Sequence, residues 1–229
     1  MKKLGLIGGL SWGSTARYYQ IINEGVARKQ GGLHSAPLVI ESLDFADVAA
    51  CASVEDWDCA ASQMIGAARR LEAAGAEGLL ICANSMHVVY DRVVDAVGVP
   101  VLHIAEAVGA KMQADGIKSA AIIGTHNVMT EKFYRQRLVS YGVSLLPPDM
   151  DLAAKVDRIV YDELVLGRRT RDSERLMKSE LADIAKQQVQ AVVLACTELE
   201  MIVDVRANVL PIYDSTSIHA GAAVDFILG

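Results

Sequence analysis

Short apolar runs alternate with longer stretches of helical periodicity along almost the whole chain. Residues 3–8, 36–43 and 78–82, and Val99-Pro100-Val101-Leu102-His103, read as strands bounded by Gly, Asn or Pro. Between them lie a helix-like stretch over about 14–29, a long amphipathic helix towards Ala74, and a helix after Ser85. The match Ser53-Val54-Glu55-Asp56 predicts a capping box opening the second of these. Then the pattern restarts. Lys118-Ser119-Ala120-Ala121-Ile122-Ile123-Gly124 echoes Lys2-Lys3-Leu4-Gly5-Leu6-Ile7-Gly8, and a helix over about 128–141 answers the first one. A strand at 142–146, a Pro147-Pro148 turn and helices over about 152–166 and 172–188 follow. Strands at 191–195 and at Leu210-Pro211-Ile212-Tyr213 lead to a last helix from about Ser217.

Strands separated by helical patterns predict βαβ units and parallel sheets. The expected fold is α/β with two pseudo-symmetric lobes, each a small doubly wound, mainly parallel sheet flanked by helices. The lobes are expected at 1–97 with 210–229, and at 98–209. Ligands of such sheets bind beyond the carboxyl ends of the strands, so the strand-end motifs are expected around a cleft between the lobes.

Two strand ends carry the most information. Gly78-Leu79-Leu80-Ile81-Cys82-Ala83-Asn84-Ser85 and Ala191-Val192-Val193-Leu194-Ala195-Cys196-Thr197-Glu198 are similar apolar runs, each ending in a small-polar cluster. Superposed on those runs, Cys196 falls opposite Ala83 and Thr197 opposite Asn84. One strand end therefore carries a thiol where the other carries a methyl group.

With 229 residues, 52% of them hydrophobic, the chain can bury a sizeable core, and its apolar stretches are too short to cross a membrane. The few apolar residues between Met1-Lys2-Lys3 and Gly8-Gly9 are too short for a signal-peptide core, so a cytoplasmic location is expected. A net charge of −6 with both signs interspersed offers no basic face to nucleic acid or an anionic membrane. The four cysteines, Cys51, Cys59, Cys82 and Cys196, form no CxxC pair; each is expected to need its own explanation. His34, His87, His103, His126 and His219 show no metal-ligand spacing. His87 and His126 lie near strand ends, with hydrogen bonding between the halves as one role and support of a thiol as another.

Side chains alternate faces along a strand, so Cys82 and Ala83 cannot both point towards a ligand; Cys82 is expected inside the sheet. Cys196 takes the ligand-facing position just before a helix start, where a lowered thiol pKa would suit a base or nucleophile. Asn84 and Ser85 stand at a helix N-terminus, able either to hold a carboxylate or to cap that helix. Thr125 follows Gly124 as a hydroxyl donor. Gly8-Gly9-Leu10-Ser11-Trp12 matches no phosphate-loop pattern; it reads as a tight turn capped by Ser, or as backbone open to a ligand.

Taken in order, Leu6-Ile7-Gly8-Gly9-Leu10-Ser11-Trp12, Cys82-Ala83-Asn84-Ser85-Met86-His87, Ile123-Gly124-Thr125 and Ala195-Cys196-Thr197-Glu198-Leu199 resemble the aspartate/glutamate/hydantoin racemase superfamily, bacterial aspartate and glutamate racemases above all. The resemblance runs over essentially the whole chain. It implies a homodimer acting on a small-molecule amino-acid substrate, of the aspartate/glutamate type, without pyridoxal phosphate or metal. It also implies an α-proton removed on one face and returned on the other by two acid/base groups. Cys196 matches one of these. The other position, Cys or Thr in the family, is Ala83 here, which moves no proton. Leu10, Ser11, Asn84, Ser85, Thr125 and Thr197 match substrate-binding positions. Ala52 stands at a family Gln, Val48 and Val165 replace an Arg and a Lys that grip a side-chain carboxylate, and Lys155 is the nearest substitute cation. Three readings follow: an amino-acid racemase altered at Ala83, a one-cysteine decarboxylase or isomerase, and a non-catalytic amino-acid-binding protein.

Overall fold

The computed structural model describes residues 1–53, 56–206 and 208–229. The chain divides into two compact units, Met1–Ile104 with His219–Gly229, and Ala105–Ile218. In the first unit the order is β1 (Leu4–Gly8), α1 (Trp12–Gln30), β2 (Leu38–Ser42), α2 (Phe45–Ser53), α3 (Trp57–Ala73), β3 (Gly78–Ile81), α4 (Tyr90–Val94) and β4 (Val101–Leu102). After α5 (Ile104–Ala114), the second unit runs β5 (Ser119–Gly124), α6 (His126–Thr130), α7 (Lys132–Ser140), β6 (Ser144–Leu145), α8 (Met150–Asp162), α9 (Arg171–Ala185), β7 (Ala191–Ala195) and β8 (Ile212–Asp214), and α10 (Ser215–Leu228) ends the chain. Each unit holds a four-stranded sheet, ordered β2-β1-β3-β4 and β6-β5-β7-β8, and all the pairings are parallel. One topology is thus used twice, as the restart at Lys118 predicted.

The central strands are apolar on both faces because both faces are covered. In the first unit Ile7, Leu79 and Ile81 join one buried cluster with residues of α3 such as Met64 and Leu71. Leu4, Leu6 and Leu80 turn the other way, onto Tyr18, Ile22 and Val26 of α1 and Ala223, Val224 and Ile227 of α10. Each fully buried Leu or Ile contributes about 1.5–3 kcal/mol relative to exposure. Local chemistry starts the helices: Ser11, Asp56, Asp149 and Thr170 each accept a backbone N–H three residues on.

Several expectations are corrected. The proposed capping box includes Val54 and Glu55, which lie outside the described residues, but Ser53 belongs to the end of α2, and Asp56 caps α3 through the Cys59 amide at 3.0 Å. The alanine-rich α2, Phe45–Ser53, was not anticipated. The helix expected over 128–141 breaks at Glu131, whose extended backbone separates α6 from α7. α8 ends at Asp162 and passes into a 3-10 turn, Leu164–Leu166, closed by Gly167 in the left-handed region. The cysteines are not all single. Packing of α2 on α3 brings the Cα atoms of Cys51 and Cys59 to 5.7 Å, within the disulfide range, and the two are joined. Among the described residues no helix is long and apolar enough to cross a membrane.

Gly78 opens β3 directly beneath the ring of Phe226 on α10, which a Cβ would strike. Gly78→Val should therefore destabilise by about 1–3 kcal/mol, read as a lower urea midpoint with an unchanged slope.

Candidate active site

In the second unit, β5 and β7 pair in register to their last residues, with Gly124 opposite Ala195. A Cβ on Gly124 would sit 2.7 Å from the Ala195 carbonyl oxygen, so glycine is what allows the two strand ends to lie this close. Thr125 and Cys196 follow side by side. Thr125 Oγ1 donates to Asn127 Oδ1 at 3.0 Å, and Thr197 is buried as the first residue of a 3-10 turn, Thr197–Met201.

Cys196 is 6% exposed, and its Sγ donates to Glu198 Oε2 at 3.3 Å. Burial, and then the negative charge of Glu198, push its thiol well above the ordinary range. The backbone N–H groups of Glu198 and Leu199 act in the opposite direction and are outweighed. The expected thiolate at a helix start is therefore corrected. Desolvation exceeds what one short turn of N–H groups supplies, and the resting sulfur is a protonated thiol.

Asp157 and Tyr161, one turn apart on α8, complete this neighbourhood. Asp157 Oδ1 accepts the His126 N–H at 2.8 Å, and burial raises its carboxyl pKa. The Tyr161 phenol, on a residue 44% exposed, is raised by partial loss of water and then by the charges of Asp157 and Glu198. These acidic groups were not foreseen. Glu198 could have been read from Cys196-Thr197-Glu198, but Asp157 and Tyr161 have only helical spacing to signal them. Lys155 is not brought to this group. It lies two residues, about 200° of helix rotation, from Asp157, and its Nζ bonds Glu180 of α9 at 2.8 Å. Val165 is half-buried in the turn after α8.

In the first unit, Gly8 closes β1 as Gly124 closes β5, Leu4 pairs with Gly78, and Ala120 pairs with Ala191. Ala83 and Cys196 each lie five residues beyond the β3 and β7 members of those pairs, so they occupy equivalent positions. Cys82 extends the ladder through its N–H to the Ile7 carbonyl, 2.9 Å. Its side chain packs with Leu6, Leu80 and Tyr18, where burial raises the thiol pKa. Ala83 turns to the opposite cluster with Ile7, Leu10, Val48 and Met86, against which the half-buried Ala52 also packs.

Asn84 is the most unusual polar group here. It is 4% exposed, begins a 3-10 turn (Ser85–Val89) without capping it, and neither its Nδ2 nor its Oδ1 has a hydrogen-bond partner among the described residues. A buried, unpaired amide costs about 1–3 kcal/mol, which a bound polar ligand would recover. The capping alternative for Asn84 is thereby removed. Ser85 follows it, half-buried. Ser11, by contrast, does cap its helix, accepting the Ser14 N–H at 3.4 Å. The Gly9–Ser11 loop is tied to α1 through Thr15, whose Oγ1 accepts from the Gly9 N–H at 2.8 Å and donates to the Ser11 carbonyl at 3.0 Å. Gly9 has φ of 79°, and a Cβ there would run into the Leu43 backbone. Among the described residues no group of three or more His, Cys, Asp or Glu side chains is arranged to hold a metal ion.

Comparison with known proteins places the sequence and the fold in a family. The chain is 39% identical to a Yersinia pestis protein described as a candidate Asp/Glu racemase, with a TM-score of 0.91 and all of both chains covered. A solved aspartate racemase homologue from Pyrococcus horikoshii OT3 is 28% identical, with a TM-score of 0.83 and again full coverage of both. The broad specificity amino-acid racemase RacX of Bacillus subtilis is 25% identical over 173 residues, 76% of this chain and 74% of that protein. The profile of the Asp/Glu/Hydantoin racemase family matches residues 7–223, and the chain belongs to that family.

Proposed function

We propose that this protein is an amino-acid racemase in which Cys196 is the acid/base and Ala83 occupies the position of the second. The observation that carries the reading is the equivalence of those two strand-end positions, with the buried amide of Asn84 unpaired beside one of them. In the forward half-reaction Glu198 takes the Cys196 proton, and the thiolate then removes the α-proton of a bound amino acid. The carbanion's charge spreads onto the α-carboxylate, where the Thr125 and Thr197 hydroxyls of the same unit as Cys196 supply hydrogen bonds; Asn84 is assigned to substrate binding as a family position whose amide is left unpaired among the described residues. Leu10, Ser11 and Ser85 are assigned to substrate contact as family positions; Ala52 and Lys155 are not used. The methyl of Ala83 returns no proton, so inversion requires a proton from water.

The inert Ala83 also favours a second reading, a one-cysteine decarboxylase or isomerase that protonates a single face. Both readings predict exchange of an α-proton through Cys196, and they differ in whether inversion accompanies it. The active unit is proposed to be a homodimer on the family resemblance, which sedimentation velocity decides.

Proton NMR in heavy water with a panel of L-amino acids tests the reading. Exchange accompanied by inversion is expected, with exchange the faster because Ala83 leaves inversion to water. Decarboxylation or strict retention would replace the racemase with the second reading, and binding without exchange would leave only an amino-acid-binding protein. Cys196→Ser should lower exchange by about 10²–10⁴-fold, while Cys82→Ser, buried on the other face, should stay within about threefold. Ala83→Cys should raise inversion relative to exchange.

Because the Cys196 pKa is raised, the thiolate fraction keeps growing with pH beyond the ordinary thiol range. Alkylation of Cys196 by iodoacetamide, followed by mass spectrometry, should accelerate about tenfold per pH unit through pH 9. A plateau near neutral pH would show a thiolate already present at rest.

A further inference from the structure

Three histidines are buried together in the first unit, and the proposed reaction uses none of them. His87, His103 and His219 are 1%, 3% and 0% exposed, with ring centroids 4.6 Å (His87 to His103) and 5.7 Å (His87 to His219) apart. Tyr90 lies against His87 and His103, and the Tyr18 hydroxyl is 3.0 Å from His219 Nδ1, while His219 Nε2 is 3.1 Å from the Leu102 carbonyl. His87 is engaged at both ring nitrogens. Its Nδ1 is 2.7 Å from the Ala83 carbonyl oxygen, which makes Nδ1 the protonated nitrogen. That leaves Nε2 to accept the N–H of Ile104, 3.3 Å away at the start of α5.

The Ala83 carbonyl belongs to the peptide bond that joins Ala83 to Asn84. Its orientation fixes where the Asn84 side chain leaves the backbone, and among the described residues that side chain has no hydrogen bond of its own to orient it. We propose that His87 is a positioning residue: by bridging the Ala83 carbonyl to the first amide of α5, its neutral imidazole holds the peptide that aims Asn84 at the substrate. The inference rests on the reading of Asn84 as a substrate-binding group. A histidine that only filled the core would affect stability alone, independently of Asn84.

A double-mutant cycle on the full-length protein separates the two, with kcat/KM for α-proton exchange in heavy water as the readout. His87→Asn places an amide nitrogen where Nδ1 lies and keeps the bond to Ala83, whereas His87→Leu removes both bonds. His87→Leu should lose about tenfold or more and His87→Asn about threefold or less. In an Asn84→Ala background the His87→Leu change should add less than about twofold. Equal losses in both backgrounds, or no loss from His87→Leu, would overturn the proposal. Should His87→Leu fail to fold, His87→Gln, which reaches the Nε2 position but not Nδ1, must fall well below His87→Asn; the reverse order sinks the idea. If the wild-type protein exchanges no amino acid, the racemase reading fails separately. The Asn84 side-chain amide resonance then decides: it should move in His87→Leu and hold in His87→Asn, and an unmoved signal in His87→Leu overturns the positioning role.

Discussion

Parallel pairing at the strand ends places Thr125 and Cys196 in one unit and Ala83 and Asn84 in the other. Gly124 against Ala195 brings Thr125 beside Cys196, and the Cys82 amide on the Ile7 carbonyl sets which way Ala83 and Asn84 leave β3. Successive residues of a strand face opposite sides, so a shift of one rung would exchange Cys82 for Ala83 and Ala195 for Cys196. The two free thiols illustrate this. One residue of offset between equivalent strands separates a sulfur packed on Leu6 and Tyr18 from a sulfur at a strand tip beside a carboxylate.

Burial also governs the chemistry available to that sulfur. N–H groups of the Thr197–Met201 turn favour a thiolate, but loss of water and the Glu198 charge disfavour it more strongly. A neutral thiol paired with a carboxylate gives up its proton only when a partner accepts it, which suits an acid/base that alternates between two states better than a permanently charged nucleophile. Asp157 and Tyr161 add further groups on α8 whose charged forms are disfavoured by loss of water.

The repeated topology carries unequal chemistry. The β3 end contributes Ala83 within an apolar cluster with Leu10 and Val48, followed by an amide with no hydrogen-bond partner among the described residues. The β7 end contributes the thiol, its carboxylate and the acidic face of α8. Of that equivalent pair, Cys196 carries an ionisable side chain and Ala83 does not.

The chain's alternation of apolar runs and helical stretches made both parallel sheets legible, because a strand covered on both faces must be apolar throughout. The restart at Lys118 exposed the repeat, and face alternation alone sent Cys82 inward. What spacing along the chain did not reveal was contact between residues distant in sequence. Asp157 and Tyr161 near Cys196, Lys155 turned to Glu180, the Cys51–Cys59 bridge and the His87 link to Ile104 all arise from packing of separate elements. Local pattern determined which segments are strands and which residues stand at their ends, since both follow from short-range backbone geometry. Tertiary structure alone decided the ionisation of Cys196 and the unpaired state of Asn84, since both depend on how much water the surrounding elements exclude.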